Sequence, residues 1–115
     1  MSDWEELQKK IIAFRDARDW KQFHNPKDVV ISLSLEAAEL LEHFQWKSPA
    51  EIEEYVVKAK KEIGEEMADV LYWILLLAHD LKIDINEALG VKIKKNEQKY
   101  PVAKAKGSHK KYTEL

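Results

Sequence analysis

Two pairs of carboxylates carry the chemistry in this sequence. Glu36 and Glu39 are three residues apart, and so are Glu66 and Asp69. On a helix an i, i+3 pair shares one face, and both side chains can converge on a single ion. Four carboxylates brought together repel strongly unless a cation sits among them. Oxygen-only ligation suits hard divalent ions, Mg²⁺ above all, with Mn²⁺ as a substitute. Mg²⁺ holds few protein carboxylates and fills its other positions with water and substrate phosphates. The pattern therefore points to phosphate chemistry.

The neighbours of each pair strengthen that reading. With successive residues about 100° apart, Ser32, Glu39 and His43 fall within about 60° of Glu36 on one side. Around that stripe the segment is apolar, from Val29 through Leu33, Leu35, Leu40 and Leu41 to Phe44. A surface helix shows a broad polar face. A narrow polar stripe suits a helix covered on most sides whose carboxylates face a cleft. The second pair repeats the arrangement, with Glu62, Glu65, Glu66, Asp69, Trp73 and Asp80 along one stripe of an otherwise apolar segment. Glu62 and Glu65 are candidates for a supporting role or an extra metal contact. Charge runs on helices are usually solvated faces, and Glu42, Glu51, Glu53, Glu54, Lys58 and Lys60 read that way. A di-iron site needs Glu-x-x-His on two helices. Residues 21, 40, 76 and 106, three before each His, are Lys, Leu, Leu and Lys, which removes that alternative.

Helices must position these groups, because three Gly and three Pro in 115 residues leave few turns. Ser2 with Glu5 has capping-box spacing and starts a helix that reaches Trp20 to Phe23. Asn25-Pro26 opens a second, running to about Trp46. Ser48-Pro49-Ala50-Glu51 opens a long third that continues to about Leu81, with Gly64 as its weak point or kink. Asp84 caps a fourth, which ends near Lys99 before Pro101. Residues 102–115 read as an extended basic tail. The chain is expected to be one domain over residues 1–101, all-α, with tail residues 102–115.

Composition narrows the function further. Hydrophobic residues at 45% and charged residues at 35% fit a folded domain rather than a disordered chain. Without Cys there is no disulfide, thiol catalysis, or Cys-based zinc or iron–sulfur site. A net charge of −2 argues against nucleic-acid binding as the main function. Basic residues are nonetheless concentrated late. Lys92, Lys94, Lys95, Lys99, Lys104, Lys106, Lys110 and Lys111 face one acid, Glu97, in that stretch. The longest apolar run, Val70 to Ala78, is far short of a membrane span, and the acidic, amphipathic start does not read as a signal peptide. A cytoplasmic protein with no membrane partner is expected.

On the fourth helix Lys92 and Asn96 lie on the side of Ile85, Leu89, Ile93 and Tyr100. There they either meet phosphate oxygens or edge the core, with Lys92 snorkelling to solvent. Trp20 and Trp46 sit near the ends of the first two helices. Core packing is the default for Trp, but near a phosphate site an aromatic stacks on a base. His24, beside Asn25-Pro26, either lines the same pocket or caps a turn.

Beyond these residue-level readings, Glu36-Ala37-Ala38-Glu39-Leu40 followed by Glu66-Met67-Ala68-Asp69-Val70-Leu71 resembles the Glu-x-x-Glu … Glu-x-x-Asp signature of the MazG-like all-α NTP pyrophosphohydrolases. That superfamily includes MazG, dimeric dUTPases, phosphoribosyl-ATP pyrophosphohydrolase and dCTP pyrophosphatase. Nearly the whole chain is similar to the dCTP pyrophosphatase-like branch. Arg18-Asp19-Trp20-Lys21-Gln22-Phe23-His24-Asn25-Pro26 resembles its approach to the second helix, and Glu39-Leu40-Leu41-Glu42-His43-Phe44-Gln45-Trp46-Lys47 the end of that helix. Lys92-x-x-x-Asn96-x-x-Lys99-Tyr100-Pro101 resembles its closing motif, and Lys111-Tyr112-Thr113-Glu114-Leu115 a family tail. Matching blocks in order along the chain are far more specific than one Glu-x-x-Glu.

The resemblance implies a four-helix MazG-like bundle completed by oligomerisation, as a homotetramer or a dimer with sites built across subunits. It implies that Glu36, Glu39, Glu66 and Asp69 ligate Mg²⁺; among these carboxylates, Glu36 or Glu39 is the candidate to activate water. It further implies that Trp20 and Trp46 lie against the base, and that Lys92 and Asn96 contact phosphates or sugar. The implied reaction is hydrolysis of an NTP, dCTP or a related dNTP, between the α and β phosphates to give NMP and pyrophosphate. Three positions depart from the pattern. Leu35 and Ala38 stand where relatives often have Gly, and Trp73, in the nucleotide-binding set, stands where they often have Tyr. These departures bear on base and sugar preference. Two alternatives to a dCTP-directed enzyme are a dUTPase-like or broad NTP-cleaning enzyme of the same superfamily and a non-catalytic helical binding module.

Overall fold

The computed structural model describes residues 2–115, which divide into two compact units on either side of the Lys82–Ile83 bond. Every regular element among the described residues is helical. In the first unit these are α1 (Asp3–Ala17), α2 (Pro26–Glu42), α3 (Pro49–Lys58) and α4 (Lys60–Asp80). α4 is the centre of this unit, with α1, α2 and α3 packed against it. Its Leu75, Leu76 and Ala78 form the core with Val29 of α2 and Ala59. Gln8 on α1 donates to the Leu75 carbonyl at 2.9 Å, which registers α1 along α4.

The N-terminal signals act as expected. The Glu5 carboxylate accepts from the Ser2 N–H at 3.3 Å. Asn25 Oδ1 accepts from the Asp28 N–H at 2.9 Å, with Pro26 in the first turn. At α3 the box closes both ways: Ser48 Oγ accepts from Glu51 N, and the Glu51 carboxylate accepts from Ser48 N at 3.0 Å. Satisfying these otherwise free N–H groups fixes where each helix begins.

The ends fall earlier than the apolar periodicity predicts. α1 stops at Ala17 because Asp19 adopts φ 52°, with the N–H groups of Arg18 and Trp20 both bonded to the Arg15 carbonyl. A left-handed residue closes a helix this way, and a short 3₁₀ turn, Lys21–Phe23, follows. α2 stops at Glu42, and Trp46 at φ 69° turns the chain toward α3. The expected single helix from 49 to 81 is two helices. The break is at Ala59, φ −104° and ψ 18°, and Gly64 lies inside an unbroken α4. Ala59 is only 8% exposed. A small residue lets α3 bend at that buried point and lay its own Ile52–Tyr55 side toward the unit instead of continuing along α4.

The second unit holds α5 (Ile85–Lys99), capped by Asp84, whose Oδ1 accepts from Glu87 N at 3.0 Å. Pro101 ends it, but the following segment is not wholly extended. It forms a single turn, α6 (Val102–Ala105), and a 3₁₀ turn, Tyr112–Glu114. Pro101 supplies the carbonyl for Lys104 and Ala105, and Gly107 at φ 77° closes the turn. Tyr112 packs edge-on to Tyr100 at 6.1 Å, with the Lys99 ammonium 4.8 Å from its ring centre.

Candidate active site

α2 and α4 lie side by side along much of their length, and their polar stripes meet. Glu36, Glu39 and Glu66 each offer an oxygen within 4.8 Å of the others. Glu36 and Glu66 are half-buried, and Glu39 is exposed at the mouth. One oxygen of Glu36 and one of Glu66, Oε2 in each, are buried without a hydrogen-bond partner. Such orphaned oxygens are rare in folded proteins. Asp69, one turn past Glu66, is outside this tight group, yet its charge acts on both Glu36 and Glu66.

The electrostatics match the crowding. Burial first, then Glu39 beside it, and then the charges of Asp69 and Glu66, push Glu36 up to about 7. Glu66 is raised too, again by burial first and by Glu39 next. A hard divalent cation would relieve this repulsion and partner both orphaned oxygens, so these residues fit Mg²⁺ or Mn²⁺. Glu62 and Glu65 are exposed on the first turns of α4, outside the three-carboxylate group.

Asp80 shares the α4 stripe but has another role. Its carboxylate takes both ends of the Arg15 guanidinium, at 2.7 and 2.9 Å. Arg15 is 1% exposed, so this fork joins α1 to α4 as a buried ion pair. The side chains of His24 and Trp73 meet edge-on at 5.4 Å, bringing together two of the expected nucleotide-binding residues. His24 Nδ1 is buried without a partner. Burial and then the Arg15 charge hold this imidazole below its ordinary pKa, against a smaller opposite pull from Asp80. His24 also lines a cavity of about 330 Å³ with Pro26, His79 and Asp80.

Trp20 is half in solvent and packs edge-on to Phe14 at 5.7 Å. Trp46 is 91% exposed. Lys92 and Asn96 are exposed on α5 in the second unit, where Lys92 lines a cavity of about 420 Å³ with Asp84, Glu87 and Val91. The side chain that the sequence pattern does not single out is Tyr55. With Glu39, Glu42, His43 and Glu66 it lines a cavity of about 370 Å³. Its spacing with Ile52 and Ala59 marks it as inward-facing on α3, but nothing in the sequence joins it to the carboxylates.

Known proteins share this arrangement of sequence and fold. The MazG-like family matches residues 31–115, which include both carboxylate pairs. dCTP pyrophosphatase 1 of Rattus norvegicus is 38% identical over 113 residues, 96% of this chain, and the Homo sapiens protein of that name is 34% identical over the same length. The chain spans 66% of the length of these curated relatives. A crystal structure of a pyrophosphatase from Archaeoglobus fulgidus superposes with a TM-score of 0.83 at 44% identity, covering 88% of this chain and 94% of that one. Two carboxylate pairs on packed helices, a match over most of the length and an all-helical fold of this similarity agree: the chain belongs to the MazG-like family.

Proposed function

We propose that this protein is a Mg²⁺-dependent nucleoside triphosphate pyrophosphohydrolase that converts dCTP or a related or modified dNTP to the monophosphate and pyrophosphate. The observation that carries the proposal is the meeting of Glu36, Glu39 and Glu66 with two buried, unpartnered oxygens. The names of the relatives support the substrate class. Glu36, Glu39, Glu66 and Asp69 are the residues that hold Mg²⁺, for which Mn²⁺ substitutes. When bound, the ion neutralises charge developing on the triphosphate.

The protein's own groups do the rest. Glu36 or Glu39 orients a water for in-line attack at phosphorus and accepts its proton on a carboxylate oxygen. Glu62 and Glu65 support the ligands from the next turn or add a contact to the ion. Trp20 and Trp46 stack on the base, with His24 and Trp73 lining the same pocket. Lys92 and Asn96 bind phosphate or sugar oxygens. The working unit is a homo-oligomer, a tetramer in preference to a dimer, which completes the helical bundle and acts in the cytoplasm, where free nucleotides are found. Support for assembly comes from apolar side chains one chain leaves open: Leu35 is 62%, Leu41 60% and Met67 57% exposed.

Calorimetry with a non-hydrolysable dCTP analogue tests this reading. Tight analogue binding is expected only with Mg²⁺ present, and weakened binding in Glu66→Gln. Equal binding with and without the ion would contradict it.

A further inference from the structure

α3 reaches the carboxylate cavity through Tyr55. Its hydroxyl lies 2.5 Å from His43 Nδ1, with the two rings 5.8 Å apart. His43 directly follows the last residue of α2, one turn beyond Glu39. Lys47 closes the cluster. Its ammonium donates to the His43 carbonyl at 2.7 Å and stands 4.2 Å from the centre of the Tyr55 ring. A phenol both donates and accepts, and Nδ1 takes either role, so the link forms in either neutral tautomer.

The position of this link gives it a consequence. A ten-residue helix is marginal alone in water, so α3 depends on its anchors. α3 also runs into α4 through the single residue Ala59, and Glu66 follows two turns later. The link thus ties the end of α2, one turn past Glu39, to the helix that leads into the start of α4. Glu39 and Glu66 sit on the two arms that it joins. Tyr55 and His43 also wall the cavity onto which both carboxylates open. A fixed wall holds the carboxylate oxygens at their spacing, and ligands held in place take an ion more tightly.

We propose that His43 and Tyr55 are positioning residues for the carboxylate site, and that their link sets how tightly the site takes a divalent cation. This rests on the metal-site reading above.

The test is Mn²⁺ binding without nucleotide, followed by electron paramagnetic resonance, in wild type, Tyr55→Phe, His43→Ala, the double variant and His43→Asn. Tyr55→Phe removes only the hydroxyl, and His43→Asn keeps an amide near the Nδ1 position. Each of the first two variants is expected to raise the Mn²⁺ Kd about fivefold, the effect of losing one hydrogen bond's net contribution. The double variant should be no weaker than either single one, because both remove the same link. His43→Asn should recover most of the affinity. An unchanged Kd in the single variants, with or without a lower Tm, would overturn the proposal, as would effects that add in the double variant. Failure of the wild type to bind Mn²⁺ would instead remove the metal-site reading itself.

Discussion

Glu36 shows what a single residue records about this site. Its ordinary carboxylate pKa is near 4.5, and in the fold it is pushed up to about 7, by burial first and by Glu39 next. Between those values the folded chain holds a proton that the unfolded chain has lost. The group's contribution to stability is therefore greatest below about pH 4.5 and is lost as pH rises toward 7. Metal-free wild type should lose thermal stability over that range relative to Glu36→Gln, and Mg²⁺ should cancel the loss. Melting curves from pH 4.5 to 8 check this, and a wild type that gains on the variant as pH rises would contradict it. Glu39→Gln and Asp69→Asn should keep the far-UV circular dichroism of the wild type and lower kcat by about 100-fold or more. Full activity in both would remove the site assignment. At this scale the sequence was most legible for the carboxylates, because i, i+3 spacing on a helix is fixed by 3.6 residues per turn. It was least legible for Tyr55, whose neighbours Glu39 and Glu66 are brought to it only by packing.

Among the elements, starts were readable and breaks were not. Ser2, Asn25, Ser48 and Asp84 each precede a helix, because a side chain at that position answers local N–H groups whatever the tertiary fold. The bend at Ala59 has no such local cause. Ala is the best helix former, and Gly64, which looks the weaker point, continues the helix. Packing of α3 against α4 decides the matter, and single-residue propensities do not carry it. The joint between α1 and α4 was also hidden, since Asp80 shares a stripe with the site carboxylates and only the fold pairs it with Arg15. Asp80→Ala leaves the Arg15 guanidinium buried without its counter-charge. A loss of about 3–5 kcal/mol is expected in urea unfolding, with a smaller loss when Arg15→Met is added. A double variant less stable than Asp80→Ala alone would contradict this account of the joint.

Across the whole molecule the small core explains both the sequence pattern and the expected assembly. Only Val29, Ala59, Leu75, Leu76 and Ala78 are buried apolar residues among those described, in a chain that is 45% hydrophobic. Leu35, Leu41 and Met67 remain open on the two helices that carry the carboxylates. Chains this short gain stability by covering such faces with another copy. Sedimentation at micromolar concentration should find an oligomer, and Leu35→Lys with Met67→Lys should shift it toward monomer. A wild type that is monomeric at that concentration would count against shared sites. The chemistry has a more direct test: product analysis after incubating the pure protein with Mg²⁺ and each common dNTP and NTP. The expected result is nucleoside monophosphate and pyrophosphate, formed fastest from dCTP or a close relative and abolished by a chelator. Release of orthophosphate, or turnover indifferent to the chelator, would contradict the assignment of a metal-dependent pyrophosphohydrolase.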